Sequence, residues 1–197
     1  HLWLPNAYSY APPPAAAFLA ATATKVALYV LLRFMFTIFQ FDHPIQGLTF
    51  EYVVMPLAIA AMFAASIAAV FQEDIKRLLA YSSIAQVGYM LLGVALLTET
   101  GLTAGIIHLF NHAVTKGALF LAVGCFVYQV GSSRLGDLKG IGKTMPWTTA
   151  AFAAGGLSLI GVPLTVGFIS KWYLIQASLE AGSLLIAGLI VASSLIA

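Results

Sequence analysis

The sequence predicts an all-α polytopic membrane domain, and three observations carry that expectation. Hydrophobic residues fill 61% of the 197 positions and charged residues only 8%. Soluble domains carry roughly a quarter of their residues as charges, so this chain cannot cover itself with a water-compatible surface. Its apolar segments recur at the length of about 20 residues that a bilayer-crossing helix needs. The charged residues between them put bases and acids on alternate connections.

Length and lack of charge mark out five full spans and a truncated sixth. The first covers about 15–36, behind the turn Ala11-Pro12-Pro13-Pro14, where proline's missing donor is no loss at a helix entrance. The second, 52–71, contains no charge, and the third and fourth cover 78–97 and about 102–130. The fifth starts near Trp147, after Met145-Pro146, and is broken by Gly161-Val162-Pro163. Ser183 opens the sixth, an apolar run that stops after 14 residues. From that early stop, and from His1 rather than Met at the start, residues 1–197 are expected to be one transmembrane domain, a fragment of a longer chain. The segments lack the dyad alternation of a membrane barrel and are about twice as long as its strands.

The connections give the topology. Lys76 and Arg77 follow the second span, and Arg134, Lys139 and Lys143 follow the fourth. The opposite connections hold Asp42, Glu51, Glu99 and Glu180 without a single base. The positive-inside rule therefore puts the basic loops, 72–77 and 131–146, on the cytoplasmic side of a cell (inner) membrane. A net charge of +2, scattered along the chain, points away from nucleic acid as a partner. The single cysteine, Cys125, excludes an internal disulfide framework.

Four bases remain inside apolar segments: Lys25, Arg33, Lys116 and Lys171, joined by His108 and His112. An ionisable group at the bilayer centre costs at least about 2.5–3.5 kcal/mol, so such residues persist mainly where they face a polar interior or a hydrated path. Lys25 sits mid-span near Thr22, Thr24 and Tyr29, out of easy reach of either headgroup layer. It is either a structural lysine bonded to a neighbouring helix or a desolvated one that loads and releases a proton, and the second reading is favoured. His108, His112 and Lys116 recur every four residues, on one helical stripe about 6 Å apart. Asn111 and Thr115 stand beside them. The row suits proton hopping through intervening water, with a buried helix–helix contact as the plain alternative. Zinc on the two histidines is disfavoured, since no nearby Cys, Asp or Glu completes a shell.

For Lys171 the residues leave two readings open. A straight helix from Trp147 would carry it roughly 36 Å along, where snorkelling to the interface explains it. A broken turn at Gly161-Val162-Pro163 would leave it deeper, lining a cavity. Arg33, three residues from the end of its span, reads as an interfacial anchor. Asp74-Ile75-Lys76-Arg77 reads as a solvated turn. All seven acids fall in connections, so the intramembrane bases lack a carboxylate partner within the sequence.

Several motifs together resemble one family. His1-Leu2-Trp3-Leu4-Pro5 with Ala11-Pro12, Asp74-Ile75-Lys76-Arg77-Leu78-Leu79-Ala80-Tyr81-Ser82-Ser83 with Gln86 and Gly88-Tyr89-Met90, His108-Leu109-Phe110-Asn111-His112-Ala113-Val114-Thr115-Lys116, and Gly161-Val162-Pro163 through Gly167-Phe168 to Ser170-Lys171 follow one another in order. They are similar to the antiporter-like subunits of respiratory complex I, membrane-bound hydrogenases and Mrp-type Na+/H+ antiporters. The segment 156–163 with Phe168-Ile169-Ser170-Lys171 looks closest to the D-type antiporter subunits. The resemblance implies mostly the second half of a subunit of about fourteen helices with inverted, broken-helix repeats. It implies that Lys25 hands protons between half-channels, that His108 and His112 continue the path on a discontinuous helix, and that Lys171 lies near the exit. The glutamate–lysine pair of that family would precede His1.

The expected function is therefore a proton- or cation-translocating subunit of a multisubunit membrane complex, working through Lys25, His108, His112, Lys116 and Lys171. Its partners would be other integral membrane subunits, the lipid bilayer, protons and, in the antiporter branch, Na+. No quinone, flavin, iron–sulfur or NADH motif occurs, so no cofactor is expected on this chain. The alternatives are a non-translocating structural subunit, whose buried bases only lock helices together, and a membrane metalloenzyme using the two histidines.

Overall fold

The computed structural model describes residues 3–38 and 50–196, and these are helical throughout apart from short connections. His1 and Leu2 of the first motif, and the connection carrying Asp42, lie outside the described residues. A short helix α1, Leu4–Tyr10, precedes the proline turn. It is followed by α2, Pro13–Arg33, which widens into a π-helical turn over Phe34–Ile38. A second π-helical turn, Phe50–Val54, leads into α3, Met55–Val70. Then come α4, Ile75–Ala95, and α5, Glu99–Val130. The short α6, Ile141–Thr144, introduces α7, Pro146–Ile160, and α8, Val166–Glu180; α9, Leu184–Ile196, closes the described chain.

Four stretches are long and apolar enough to cross a membrane: Pro13–Ile38, Tyr52–Val70, Ile75–Ala95 and Glu99–Val130. They match the first four sequence-derived spans. The fifth is two half-length helices in series, as the Gly-Val-Pro interruption predicts. Gly161 ends α7 in the left-handed conformation at φ 88°, a region that favours glycine. Pro163 follows, and Thr165 caps α8 by accepting from the Phe168 N–H.

Each end is built by local chemistry. The Asp74 carboxylate accepts from the N–H groups of Lys76 and Arg77 and so caps α4. Thr98 caps α5, with Glu99 in its first turn where the helix dipole favours an anion, and Gly131, at φ 78°, ends it. Two expectations change. The tryptophan–proline segment forms the helix α1, which the reading of 15–36 as the first element passed over. The histidine-bearing helix is also unbroken for 32 residues, roughly 48 Å at 1.5 Å per residue, so it is not the discontinuous helix that the resemblance implied.

Helix α5 is central, packing against α2, α4, α7 and α8. One apolar cluster joins Leu4 and Tyr8 of α1, Ala16 and Ala20 of α2, Leu79 of α4 and Phe120 of α5. A second joins Ala58 and Met62 of α3, Tyr89 and Leu92 of α4, Ala104 of α5, Leu174 of α8 and Ile190 of α9. Glycine lets α4 and α5 approach closely: a Cβ on Gly93 would fall 2.6 Å from the Gly101 carbonyl oxygen. The outward faces carry large apolar side chains such as Phe18, Leu57, Phe110 and Leu195, the surface lipid requires.

The two basic connections meet. Ile75 N–H donates to the Ser133 carbonyl at 3.0 Å, Leu135 N–H donates to the Glu73 carbonyl at 2.8 Å, and the Ser133 hydroxyl donates to the Asp74 carboxylate. Residues 72–77 and 131–135 therefore share one face of the bundle, as the alternation of charge requires.

Candidate functional site

The polar interior begins with the stripe on α5. His108, His112 and Lys116 are buried at 4%, 2% and 0% exposure, while Ile106, Phe110 and Val114 of the same helix face outward. The two imidazoles lie parallel, 3° between planes and 6.4 Å between centroids. Lys25 of α2 and Lys171 of α8 are also buried, at 6% and 4%. All five predicted site residues thus turn inward from three helices.

Their partners are neutral oxygens. The Lys116 ammonium donates to the Leu79 carbonyl at 2.8 Å and to the Ser82 hydroxyl, both on α4. Lys25 donates to the Ala20 carbonyl in its own helix. Lys171 reaches back across the break to the carbonyls of Leu159 and Ile160, at 3.0 and 2.9 Å. Those oxygens end α7 and lack intrahelical donors, so the ammonium acts as the cap of the first half-helix, at its negative end. The Lys171 ammonium also lies 4.6 Å from the centre of the Tyr89 ring, in cation–π range. Carbonyl and hydroxyl acceptors hold an ammonium without pinning it charged, as a carboxylate would.

His108 sits between α4 and α8. Its Nε2 is 2.8 Å from Gln86 Oε1 and its Nδ1 is 2.8 Å from Ser170 Oγ. The Gln86 amide nitrogen donates to the Leu159 carbonyl at 3.3 Å, the oxygen that Lys171 also uses. One turn away, neither ring nitrogen of His112 has a hydrogen-bond partner among the described residues, and the buried Thr24 hydroxyl beside Lys25 has none among them either.

Packing fixes the height of Lys25. A Cβ on Gly117 would meet Ala21 at 3.4 Å, and one on Gly124 would meet Pro13 at 3.0 Å. Helices α2 and α5 are therefore antiparallel, and eight residues along one match seven along the other. Carried on from Ala21, that register brings Lys25 level with the Ala113–Val114 step, less than half a helical turn from His112. Lys25 lies within electrostatic range of His108, His112 and Lys116, and Lys171 within range of His108. A cavity of about 290 Å³ adjoins the row, lined in part by Ser66, Ser82, Gln86, Leu159 and Ile160.

Several sequence expectations are sharpened or corrected here. Lys171 is buried and bonded back across the helix break rather than extended towards an interface. Arg33 is exposed as the last residue of α2. Lys76 is not in a solvated turn: it lies in the first turn of α4, is 8% exposed, and donates to the Ser9 and Ala11 carbonyls at 3.2 and 3.1 Å. Tyr29 is exposed while Lys25 is buried. Ser82, Gln86, Tyr89 and Ser170 were not among the predicted site residues. Their neutral side chains carry no penalty that singles them out, and only the i, i+4 spacing of Ser82 and Gln86 hinted at a shared face.

Across residues 1–197 the chain matches the family described as NADH:quinone oxidoreductase/Mrp antiporter, TM. It is 44% identical over 196 residues to NADH-quinone oxidoreductase subunit N of Desulforudis audaxviator, covering 100% of this chain and 39% of that one. With the D-type subunit of the Na(+)/H(+) antiporter of Alkalihalophilus pseudofirmus the identity is 35% over 196 residues, again 100% of this chain and 39% of the relative. In the solved structure of the Mrp complex from Dietzia sp. DQ12-45-1b, one chain superposes with a TM-score of 0.89 at 36% identity, covering 100% of this chain and 36% of that chain. The chain spans about two fifths of the curated relatives it matches. Both the oxidoreductase and the antiporter branch of the family are thus matched over the whole chain.

Proposed function

Because the chain belongs to the NADH:quinone oxidoreductase/Mrp antiporter transmembrane family, we propose that it is a proton-conducting part of a membrane subunit within a larger complex. Protons pass along Lys25, His112, His108 and Lys171, with Lys116 at the end of the row. The complex is of the NADH:quinone oxidoreductase or the antiporter kind, and in the second case the protons are exchanged for Na+. The observation that carries this reading is the burial of five titratable side chains from three helices among neutral acceptors. A chain that only needed stable helices would gain more from apolar residues at these positions, since buried ionisable groups cost stability.

The chemistry of each step follows from the side chains. Lysine and neutral imidazole can each take up and give back a proton. The ring nitrogens of His112 and the hydroxyl of Thr24, without partners among the described residues, supply polar contacts for water near the height of Lys25, and such water would bridge α2 and α5. Loops 72–77 and 131–146 face the cytoplasm on this reading. Labelling of Arg134→Cys by an impermeant thiol reagent from the opposite face alone would contradict that sidedness.

One observation favours a structural role for part of the row: Lys116 and Lys171 tie neighbouring segments together through carbonyls. Lys25 separates the readings, because its bond to the Ala20 carbonyl stays within its own helix. In the full-length protein within its complex, Lys25→Ala and Lys25→Met should abolish proton transport in vesicles while assembly persists. Normal transport in an assembled Lys25→Met complex would defeat the proposal in favour of the structural reading.

A further inference from the structure

Resting on the proton path above, we propose that Ser170 is a positioning residue that satisfies His108 Nδ1 in both the neutral and the charged state of the ring with no movement of heavy atoms. The argument is a count of hydrogens. The Leu159 carbonyl can only accept, so the Gln86 nitrogen faces it and the Gln86 oxygen faces His108 Nε2. An oxygen of an amide donates nothing, so Nε2 carries its hydrogen in every state. Any change of protonation at His108 is confined to Nδ1.

The polar atom beside Nδ1 is Ser170 Oγ, at 2.8 Å, and that hydroxyl has a second neighbour in the Gly167 carbonyl at 3.1 Å. It owns one hydrogen and two lone pairs. With neutral His108, the hydroxyl donates to Nδ1. With His108 charged, Nδ1 donates to Oγ and the hydroxyl hydrogen turns to the Gly167 carbonyl. Both states leave Nδ1 and the hydroxyl satisfied inside a site where Ser170 is 0% exposed. A fixed donor or a fixed acceptor in its place would satisfy only one state and leave the other with a buried orphan, the costly case for polar groups. The charged and titratable groups around His108 come from every side: His112 on its own helix, Tyr89 on α4, Lys171 on α8 and Lys25 on α2. Of these, the bases carry positive or no charge, so among the described residues the imidazolium has no anion to lean on and depends on its two acceptors, Gln86 and Ser170.

The test is a double-mutant cycle on proton uptake by vesicles carrying the full-length protein in its complex. Ser170→Ala should slow uptake about 10- to 100-fold, the range for losing a hydrogen bond to a charged group. Ser170→Thr, which keeps the hydroxyl, should recover most of the rate. In a His108→Gln background, Ser170→Ala should add less than about twofold, because the group it serves is gone. A full additional loss in that background, or a parental rate for Ser170→Ala, overturns the inference. Should Ser170→Ala fail to assemble, Ser170→Cys keeps the volume with a poor acceptor; it is expected to slow uptake, and a parental rate is the overturning result. Loss of transport in Lys25→Ala alongside additive Ser170 effects would sink this inference alone, whereas normal transport in Lys25→Met would sink the path beneath it.

Discussion

Lys76 marks the limit of reading single residues from charge. In the sequence it is one of five loop bases and a topology signal; in the structure it is buried, its ammonium on the last carbonyls of α1. Those carbonyls end a helix and need donors, and a lysine stem is long enough to reach them from the next element. Lys76→Met should therefore lower the thermal midpoint of the solubilised complex, by a loss of about 1–3 kcal/mol for orphaned carbonyls, while Arg77→Met should do much less. Equal effects of the two substitutions would return Lys76 to the solvated loop. The interior bases were legible because a charge in an apolar segment has a cost that sequence exposes. Gln86, Ser82, Tyr89 and Ser170 were not, since nothing in their composition distinguishes a neighbour of the buried bases from an ordinary buried polar side chain.

Among the elements, the helix break decides the depth of Lys171. The Gly-Val-Pro interruption was readable from glycine's and proline's backbone limits, and it correctly divides the fifth span into α7 and α8. What the sequence did not reveal is how tightly the halves meet. A Cβ on Gly167 would overlap the Ser158 carbonyl oxygen, and the Lys171 stem lies 3.0 Å from where a Cβ on Gly161 would stand. Gly167→Ala must push the half-helices apart, which removes Lys171 from its carbonyls and shifts Ser170 away from His108. The expected outcome is loss of transport together with reduced yield of assembled complex; Gly188→Ala, with open space around it, should leave both unchanged. Parental transport in Gly167→Ala would show that the junction has slack. Helix α1 escaped detection because seven residues with an early proline offer too little periodicity to read as a helix. The continuity of α5 could have been read, since no proline interrupts residues 99–130.

At the scale of the molecule, hydrophobic length and the alternation of loop charge set the order of spans and put the basic connections together, and both emerge intact in the folded chain. The convergence of Lys25, His112, His108 and Lys171 belongs to another kind of information. It depends on which faces of α2, α5 and α8 meet, and packing against α4 and α7 settles that. The central claim is that these bases are joined by water and act as one path. Ordered-water density in a structure of the complete complex tests it most directly. The account predicts water bonded to His112 and to the Thr24 hydroxyl, bridging toward the Lys25 ammonium. Density showing His112 and Lys25 separated by packed apolar side chains, with no water between them, would contradict it.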